Sequence, residues 1–277
     1  MPVNLNSALL DQYPEALEAA QRALFYGDAL FETIRVFDGR MPYLERHWAR
    51  LHAGMSALGF TPPKTWEAAF FRAEIAKLQL VNARVRLTVW RSPGGLFRPE
   101  NDYPQFLIAA TPLPSDHFEW PGAGMDIGLC TAVRLPVDAF SNFKTLNAPR
   151  YVAAAREAKA MGWDDALLLN ANERVCEATS SNVFWWEKQA VYTVPLSEGC
   201  VAGVMREILL EISNRNGYLL RERPVTFAAL QQADEIFLSN AIRGIIPVRN
   251  FTGKPLTTGM TRQLYESLLK YAALISQ

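Results

Sequence analysis

The sequence predicts a mixed α/β (α+β) fold in two domains. Three observations carry this. The chain has 277 residues, enough to close two ordinary hydrophobic cores. Its apolar patterning alternates between period two and period 3.6, with several strands in a row between helices rather than strict βαβ alternation. Residues 112–124 (PLPSDHFEWPGAG) concentrate three prolines and two glycines, the composition of a linker. The expected division is a smaller N-terminal α/β domain over 1–113, a linker at 114–124 and a larger C-terminal domain over 125–277.

Residues 14–24 (PEALEAAQRAL) begin with a proline and predict a helix. Residues 31–37 (FETIRVF) alternate as a strand, Asp38-Gly39 is a turn signal, and Met41–Leu44 resumes the apolar pattern, which predicts a hairpin. Leu44, Trp48, Leu51, Met55 and Leu58 then share one face of a helix over 44–58. A second helix is expected over 65–79, and strands over 84–91 and 106–111. Beyond the linker, strands are expected at 126–130, 165–170, 182–187, 190–194, 218–223 and 235–239. Helices are expected at 150–161, 204–215, 226–233 and 260–275.

Composition removes several functions. Apolar residues make up 49%, too many for a disordered chain. Lys plus Arg and Asp plus Glu both number 28, so broad electrostatic capture of nucleic acid or an anionic membrane is not expected. The three widely spaced cysteines, Cys130, Cys176 and Cys200, form no CxxC pair, which points to a reducing compartment. With only three histidines, no metal site is expected. The N-terminus has no apolar signal-peptide core, and no apolar run is long enough to span a bilayer, so a cytoplasmic location is expected.

Five segments hold residues suited to chemistry. Lys144, in FKTLN, reads either as an exposed loop lysine or as an amine in a partly apolar site, where burial lowers its pKa and frees it as nucleophile and base. Glu177, in VCEATSSNVF, reads either as a solvated turn residue or as a carboxylate fixed at a strand end, able to hold a protonated ring nitrogen. The loop GCVAGVMRE (199–207) runs into a helix whose first N–H groups make an anion site. SNAIRGIIPV (239–248) turns at small residues and offers backbone N–H groups to a phosphate. Arg50, in HWARL, lies beside an apolar helix face and has the shape of a bidentate phosphate ligand. A nucleophilic lysine, a ring-nitrogen carboxylate, two phosphate cradles and an arginine together match what pyridoxal phosphate requires.

The ordered blocks YGDALFETIRV (26–36), HWARL (47–51), FKTLN (143–147), DDALLLNANERVCEATSSNVFWW (164–186), GVMR (203–206) and NAIRGIIPV (240–248) carry a family resemblance. From about residue 25 to about residue 250 the chain resembles the class IV, or fold-type IV, pyridoxal-phosphate enzymes. These include branched-chain and D-amino-acid aminotransferases and aminodeoxychorismate lyases. The resemblance implies that Lys144 is the Schiff-base lysine, Glu177 the partner of the pyridine nitrogen and Arg50 the phosphate arginine. It implies backbone phosphate donors at Val204, Met205, Asn240 and Ala241, and a substrate-pocket aromatic at Phe31. For the substrate carboxylate it offers Arg91, while Arg98 has no matching position but lies on the same loop.

The chain departs from the pattern where Ala29 replaces a frequent glycine and where Asn240-Ala241 lacks a common threonine. The opening strand pair with an Asn-Gly turn is not evident in residues 1–20. GDALFETIR is nearer to the aminotransferases, with Glu32 where lyases often carry Thr. GVMR and NAIRGIIPV are nearer to the lyases. The implied function is amino transfer between an amino acid and a 2-keto acid, with pyruvate elimination from aminodeoxychorismate as the alternative. The resemblance also implies a homodimer in which the GDALFET aromatic enters the partner's pocket; the apolar cluster of Phe25, Tyr26, Leu30 and Phe31 reads either as surface for that contact or as part of its own domain's core.

Overall fold

A computed structural model describes residues 3–5, 8–10, 15–215 and 217–275. An N-terminal strand pair is present after all: β1 (Val3–Leu5) runs antiparallel to β2 (Ala8–Leu10). Strands of three residues are too short to show an alternation, and residues 6 and 7 between them lie outside the described residues. The helix expected over 14–24 is two: α1 (Glu15–Ala19) and α2 (Gln21–Tyr26), broken where Ala20 leaves helical geometry. Pro14 lies outside the described residues. Gly27 ends α2 in the left-handed region at φ 64°, its N–H returning to Ala23 O. Glycine adopts this conformation without the strain a β-carbon brings.

The strand β3 (Ala29–Val36) does not form the expected hairpin with 41–44. Asp38 and Gly39 do make a tight left-handed turn, but it closes a single bridge, Phe37 to Arg40. The apolar residues beyond it, Met41, Tyr43 and Leu44, are buried as the entry to α3 (Leu44–Ala57). The partner of β3 is instead β4 (Ala83–Arg91), reached through α4 (Ala68–Ala76), which is shorter than the 65–79 expected. With β5 (Pro104–Pro112) these strands form a three-stranded antiparallel sheet. Ile34, Val36, Val85, Leu87 and Val89 on one face pack against Leu51 and Met55 of α3 and Phe71 and Ile75 of α4.

Residues 113–124 hold no helix or strand, yet they are pinned. Phe118 is buried, and Arg35 donates to Ser115 O at 3.1 Å and His117 O at 2.6 Å. Then β6 (Met125–Leu135) runs further than the expected 126–130. The crossover α5 (Pro149–Met161) returns the chain to β7 (Asp165–Asn170), parallel to β6. β8 (Val175–Ala178) turns back antiparallel to β7, and the chain then crosses the sheet to β9 (Asn182–Glu187), which pairs antiparallel with β10 (Ala190–Thr193). α6 (Val204–Arg215) leads to β11 (Leu220–Glu222), and α7 (Phe227–Leu230) to β12 (Glu235–Asn240). β13 (Gly244–Phe251) was not foreseen: the NAIRG turn feeds a full strand rather than ending one. It pairs with β14 (Lys254–Pro255) before α8 (Gly259–Ile275) closes the chain.

The large sheet has the order β11-β10-β9-β12-β13-β6-β7-β8, with β14 off its path. Its central strands are buried on both faces, which is why they read as continuous apolar runs. On β9, Val183 and Trp185 face one core with Ala154 and Ala158 of α5. Phe184 and Trp186 face the other, with Ile208, Leu209 and Ile212 of α6 and Leu264 and Leu268 of α8. Among the described residues no helix is long and apolar enough to cross a membrane.

Candidate active site

One cavity of about 850 Å³ lies where the small sheet, the 136–148 loop, the end of β8, the start of α6 and the turn after β12 meet. Lys144, Glu177, Arg50, Val204, Met205, Asn240, Ala241, Phe31 and Arg91 all line it. Residues more than two hundred positions apart in sequence are thus brought to one wall.

The 136–148 loop is held as an extra edge on β3. Phe31 N–H donates to Lys144 O at 2.8 Å, Leu146 N–H to Ala29 O at 3.0 Å, and Leu30 bridges Thr145. Asn142 ties the loop's other side to Leu196 O (3.0 Å) and Cys200 O (2.7 Å). Lys144 Nζ therefore sits 4.5 Å from the centroid of the Phe31 ring. No acidic side chain among the described residues pairs with this amine. Burial, and then the Arg50 charge, push its pKa down from the ordinary lysine value, although Glu32 and Glu177 pull the other way.

Glu177 lies on β8, buried, with Oε1 accepting from Tyr151 Oη at 2.6 Å and Oε2 from Val201 N–H at 3.0 Å. Two neutral donors and no ion pair leave its negative charge uncompensated. Burial pushes its pKa up to about 7, against the pull of Tyr151, Val201 and Lys144.

Arg50 projects from α3 into a buried cluster. Its Nε and Nη2 bind Glu32 Oε1 and Oε2 at 2.8 and 2.5 Å, and Nη1 donates to Ala202 O at 2.7 Å. Glu32 also accepts from His47 Nδ1 at 2.7 Å. Burial works to raise the Glu32 pKa, but Arg50 and His47 outweigh it and hold the carboxyl at about 2. Arg50 thus arrives at the cavity aimed by a fixed carboxylate, which bare sequence spacing does not show.

Two backbone cradles flank Arg50. At the start of α6, Gly203 lies so close to Asn182 that an added β-carbon would stand 1.9 Å from its Oδ1, so only glycine fits this approach. At the other, Asn240 Oδ1 accepts from Ile242 N–H (3.1 Å) and Arg243 N–H (2.9 Å), while its Nδ2 donates to Ser181 Oγ (3.0 Å). The Asn240 side chain thereby shapes this turn. The N–H groups of Val204, Met205 and Ala241 have no acceptor among the described residues, leaving them available to an anion.

Leu30 is buried in its own core and Phe31 faces Lys144 of the same chain, because the β3 edge pairs with residues 144–146. Phe31 and Lys144 therefore meet within one chain. Arg91 is saturated: its Nε meets Asp28 at 2.8 Å, its Nη2 donates to Leu58 O at 2.5 Å, and its Nη1 pairs with Asp102. Arg98 is exposed and does not line the cavity. The Arg86 guanidinium also reaches this wall, its Cζ 3.9 Å from the same Phe31 ring centroid. Arg84, Arg86 and Tyr151 were missed. The strand period at 84–91 was the available signal, since it puts both arginines opposite the core face.

A family model described as amino-transferase class IV matches residues 29–251. The chain belongs to the class IV aminotransferase family. Within it, the chain is 30% identical over 230 residues to the aminodeoxychorismate lyase of Vibrio harveyi, covering 82% of this chain and 84% of the relative. It is 28% identical over 277 residues to a putative branched-chain-amino-acid aminotransferase of Methanocaldococcus jannaschii, covering 97% and 94%. Among solved structures, the 4-amino-4-deoxychorismate lyase of Pseudomonas aeruginosa matches with a TM-score of 0.80 and 31% identity over 93% of this chain and 95% of that one. The mixed α/β architecture is that of fold-type IV. Both branches of the family are thus represented among the relatives.

Proposed function

We propose that this class IV enzyme is a pyridoxal-phosphate aminotransferase that moves an amino group between an amino acid and a 2-keto acid. The observation that carries the reading is the pairing, in one cavity, of the unpaired Lys144 amine with the buried, uncompensated Glu177 carboxylate. Class IV aminotransferases depend on pyridoxal phosphate, and the residues present fit it. Glu177 lacks a cation, the Gly203 cradle is open to an anion, and Val204, Met205 and Ala241 present free N–H groups.

When bound, the cofactor supplies an aldehyde for the substrate amine and a ring that accepts electrons from the substrate's Cα. Lys144 Nζ, whose pKa burial lowers, would hold the aldehyde and carry the Cα proton. Glu177 holds the proton on the ring nitrogen. Arg50, fixed by Glu32, and the N–H groups of Val204, Met205, Asn240 and Ala241 hold the phosphate. Phe31 walls the substrate pocket, and Arg86 takes the carboxylate beside the reacting carbon. The loop at 114–124 separates the two domains.

The second reading is pyruvate release from aminodeoxychorismate, the activity named for two relatives at 30 and 31% identity. One spectroscopic screen separates them. The aminotransferase, offered an amino acid alone, converts its visible cofactor band to that of pyridoxamine phosphate. If no amino acid does so, while aminodeoxychorismate releases pyruvate without any keto acid, the lyase reading stands instead.

A homodimer completes the proposal. Leu24, Leu96 and Phe97 are 62, 75 and 89% exposed near the cavity mouth, an apolar surface of the kind a second copy covers.

A further inference from the structure

The Glu177 carboxylate is gripped by two separate elements. Tyr151, in the first turn of α5, donates from Oη to Oε1 at 2.6 Å, and the Val201 N–H, on the loop before α6, donates to Oε2 at 3.0 Å. The first distance is that of a hydroxyl bonded to a full negative charge, about 2.5–2.7 Å between oxygens. Tyr151 reaches this position because α5 presents it on its core face, with the buried Ala154 and Ala158 one and two turns on. Small side chains at those positions let the helix lie close on β6 and β7, and the long phenol spans the remaining gap to β8.

An ionised carboxylate offers about four lone-pair sites. Tyr151 and Val201 take one on each oxygen, so turning the carboxylate plane breaks both bonds, and lone pairs stay open on a group that lines the cavity. Among the described residues Tyr151 is the one side-chain donor to Glu177. The charged groups that face it are Lys144, from the 136–148 loop, and Arg50, from α3. Cys176 and Cys200 also stand near it, as buried thiols whose pKa burial raises. Burial, and then the Glu177 charge, raises the Tyr151 pKa, so the phenol keeps its proton and remains a donor. A hydrogen bond given to a carboxylate favours the ionised form and lowers its affinity for a proton.

We propose that Tyr151 is a positioning residue for the cofactor ring: its hydroxyl fixes the plane of the Glu177 carboxylate and keeps the shared proton on the ring nitrogen rather than on the carboxylate. This rests on the cofactor reading of the cavity. Without the phenol, Oε1 is buried with no donor and Glu177 is the stronger base. The ring N–H bond then breaks, an O–H bond forms on Glu177, and the neutral ring left behind is a weaker acceptor of electrons. Tyr151 prevents this transfer without adding a charge to the cavity wall.

Two nuclear magnetic resonance titrations test this. In the first, the cofactor-free protein carries carbon-13 in its glutamate carboxyls, and Glu177→Gln assigns the Glu177 signal. Tyr151→Phe should raise the midpoint at which Glu177 takes up its proton by at least about one unit, a tenfold gain in proton affinity from one lost charge-assisted bond. Replacing Tyr151 by 3-fluorotyrosine, a more acidic phenol and a stronger donor, should lower the midpoint. Tyr192→Phe, which removes a phenol hydroxyl from β10, should leave it in place. In the second, the cofactor carries nitrogen-15 in its ring. At neutral pH the ring-nitrogen signal should be protonated in wild type and in the 3-fluorotyrosine protein, and shifted toward the unprotonated position in Tyr151→Phe. An unmoved Glu177 midpoint in Tyr151→Phe would overturn the proposal, as would a fully protonated ring nitrogen in that variant. If Tyr151→Phe does not fold, the 3-fluorotyrosine protein decides, and a midpoint that does not fall overturns the proposal equally. A role in packing alone gives no ordered shift from Phe through Tyr to 3-fluorotyrosine. With no visible cofactor band in loaded wild type, the cofactor reading fails. With the band present and the midpoint unmoved, only the role of Tyr151 fails.

Discussion

Lys144 and Phe31 share one wall of one chain: Nζ lies 4.5 Å from the ring centroid, and the Phe31 N–H donates to the Lys144 carbonyl at 2.8 Å. This backbone tie, reinforced by the Leu30–Thr145 bridge, makes the position of the Lys144 amine a property of the β3 edge. Mutations on β3 therefore act on Lys144 directly, without an assembly in between.

Mixed subunits test this relationship. Phe31→Arg chains and Lys144→Ala chains, each inactive, should recover no activity when combined, because every cavity in a mixed assembly then contains one defect. Restored activity after proven subunit exchange would place the two residues in different chains' sites.

Glu177→Gln should lower turnover roughly a hundredfold or more while cofactor still binds, since a neutral amide does not hold the ring nitrogen protonated. The cofactor-free protein should respond in the opposite direction. The Glu177 pKa rises on folding from 4.5 to about 7. Its contribution to stability is thus fully present below pH 4.5 and lost as pH rises through 7, a loss of about 3 kcal/mol. Thermal melts of the cofactor-free Gln variant should gain on wild type between these values and hold a constant lead above them. Wild-type turnover in the Gln variant, or parallel melting curves at all pH values, would contradict the role given to Glu177.

Glu32→Gln should have the reverse pH signature. The folded pKa of Glu32 is lowered from 4.5 to about 2, so its stabilisation is present above pH 4.5 and lost as pH falls through 2. Near neutral pH the variant should be less stable by about 3 kcal/mol, since Arg50 keeps its burial and loses its partner. The difference should shrink in acid. Arg50 also loses its aim, so pyridoxal phosphate should bind about tenfold more weakly, the value of one charged hydrogen bond. Fluorescence titration with the cofactor reads the second effect, and unchanged affinity would free Arg50 from the phosphate role.

Sedimentation at micromolar concentration should give a species of twice 31.1 kDa. A fully active monomer would remove the dimer from the proposal and leave the exposed Leu96 and Phe97 without that explanation.

Much of the site was legible because its chemistry rests on residue types that sequence displays. A lysine between apolar neighbours, a carboxylate among small residues and glycine-bearing helix entries are local facts, and all reach one cavity. Pairings between distant residues were not legible. Arg91 reads as a free loop cation until Asp28, more than sixty positions away, closes on it. Arg86 reads as the solvent face of an alternating strand, because periodicity separates the two faces without saying that one of them lines a cavity. The missed hairpin has a similar cause. Asp38-Gly39 makes a real turn, but the residues beyond it gain more by burial at the start of α3 than by pairing. Burial on both faces also hid β13, whose apolar run after the NAIRG turn lacks the alternation of a half-exposed strand.

Borohydride reduction of the cofactor-loaded protein, followed by peptide mapping, tests the central assignment most directly. Lys144 should carry the reduced pyridoxyl group, and Lys144→Ala should take up no label and show no turnover while keeping its fold. A label on Lys159 or Lys188, or retained labelling in Lys144→Ala, would contradict the assignment of Lys144 as the reactive amine.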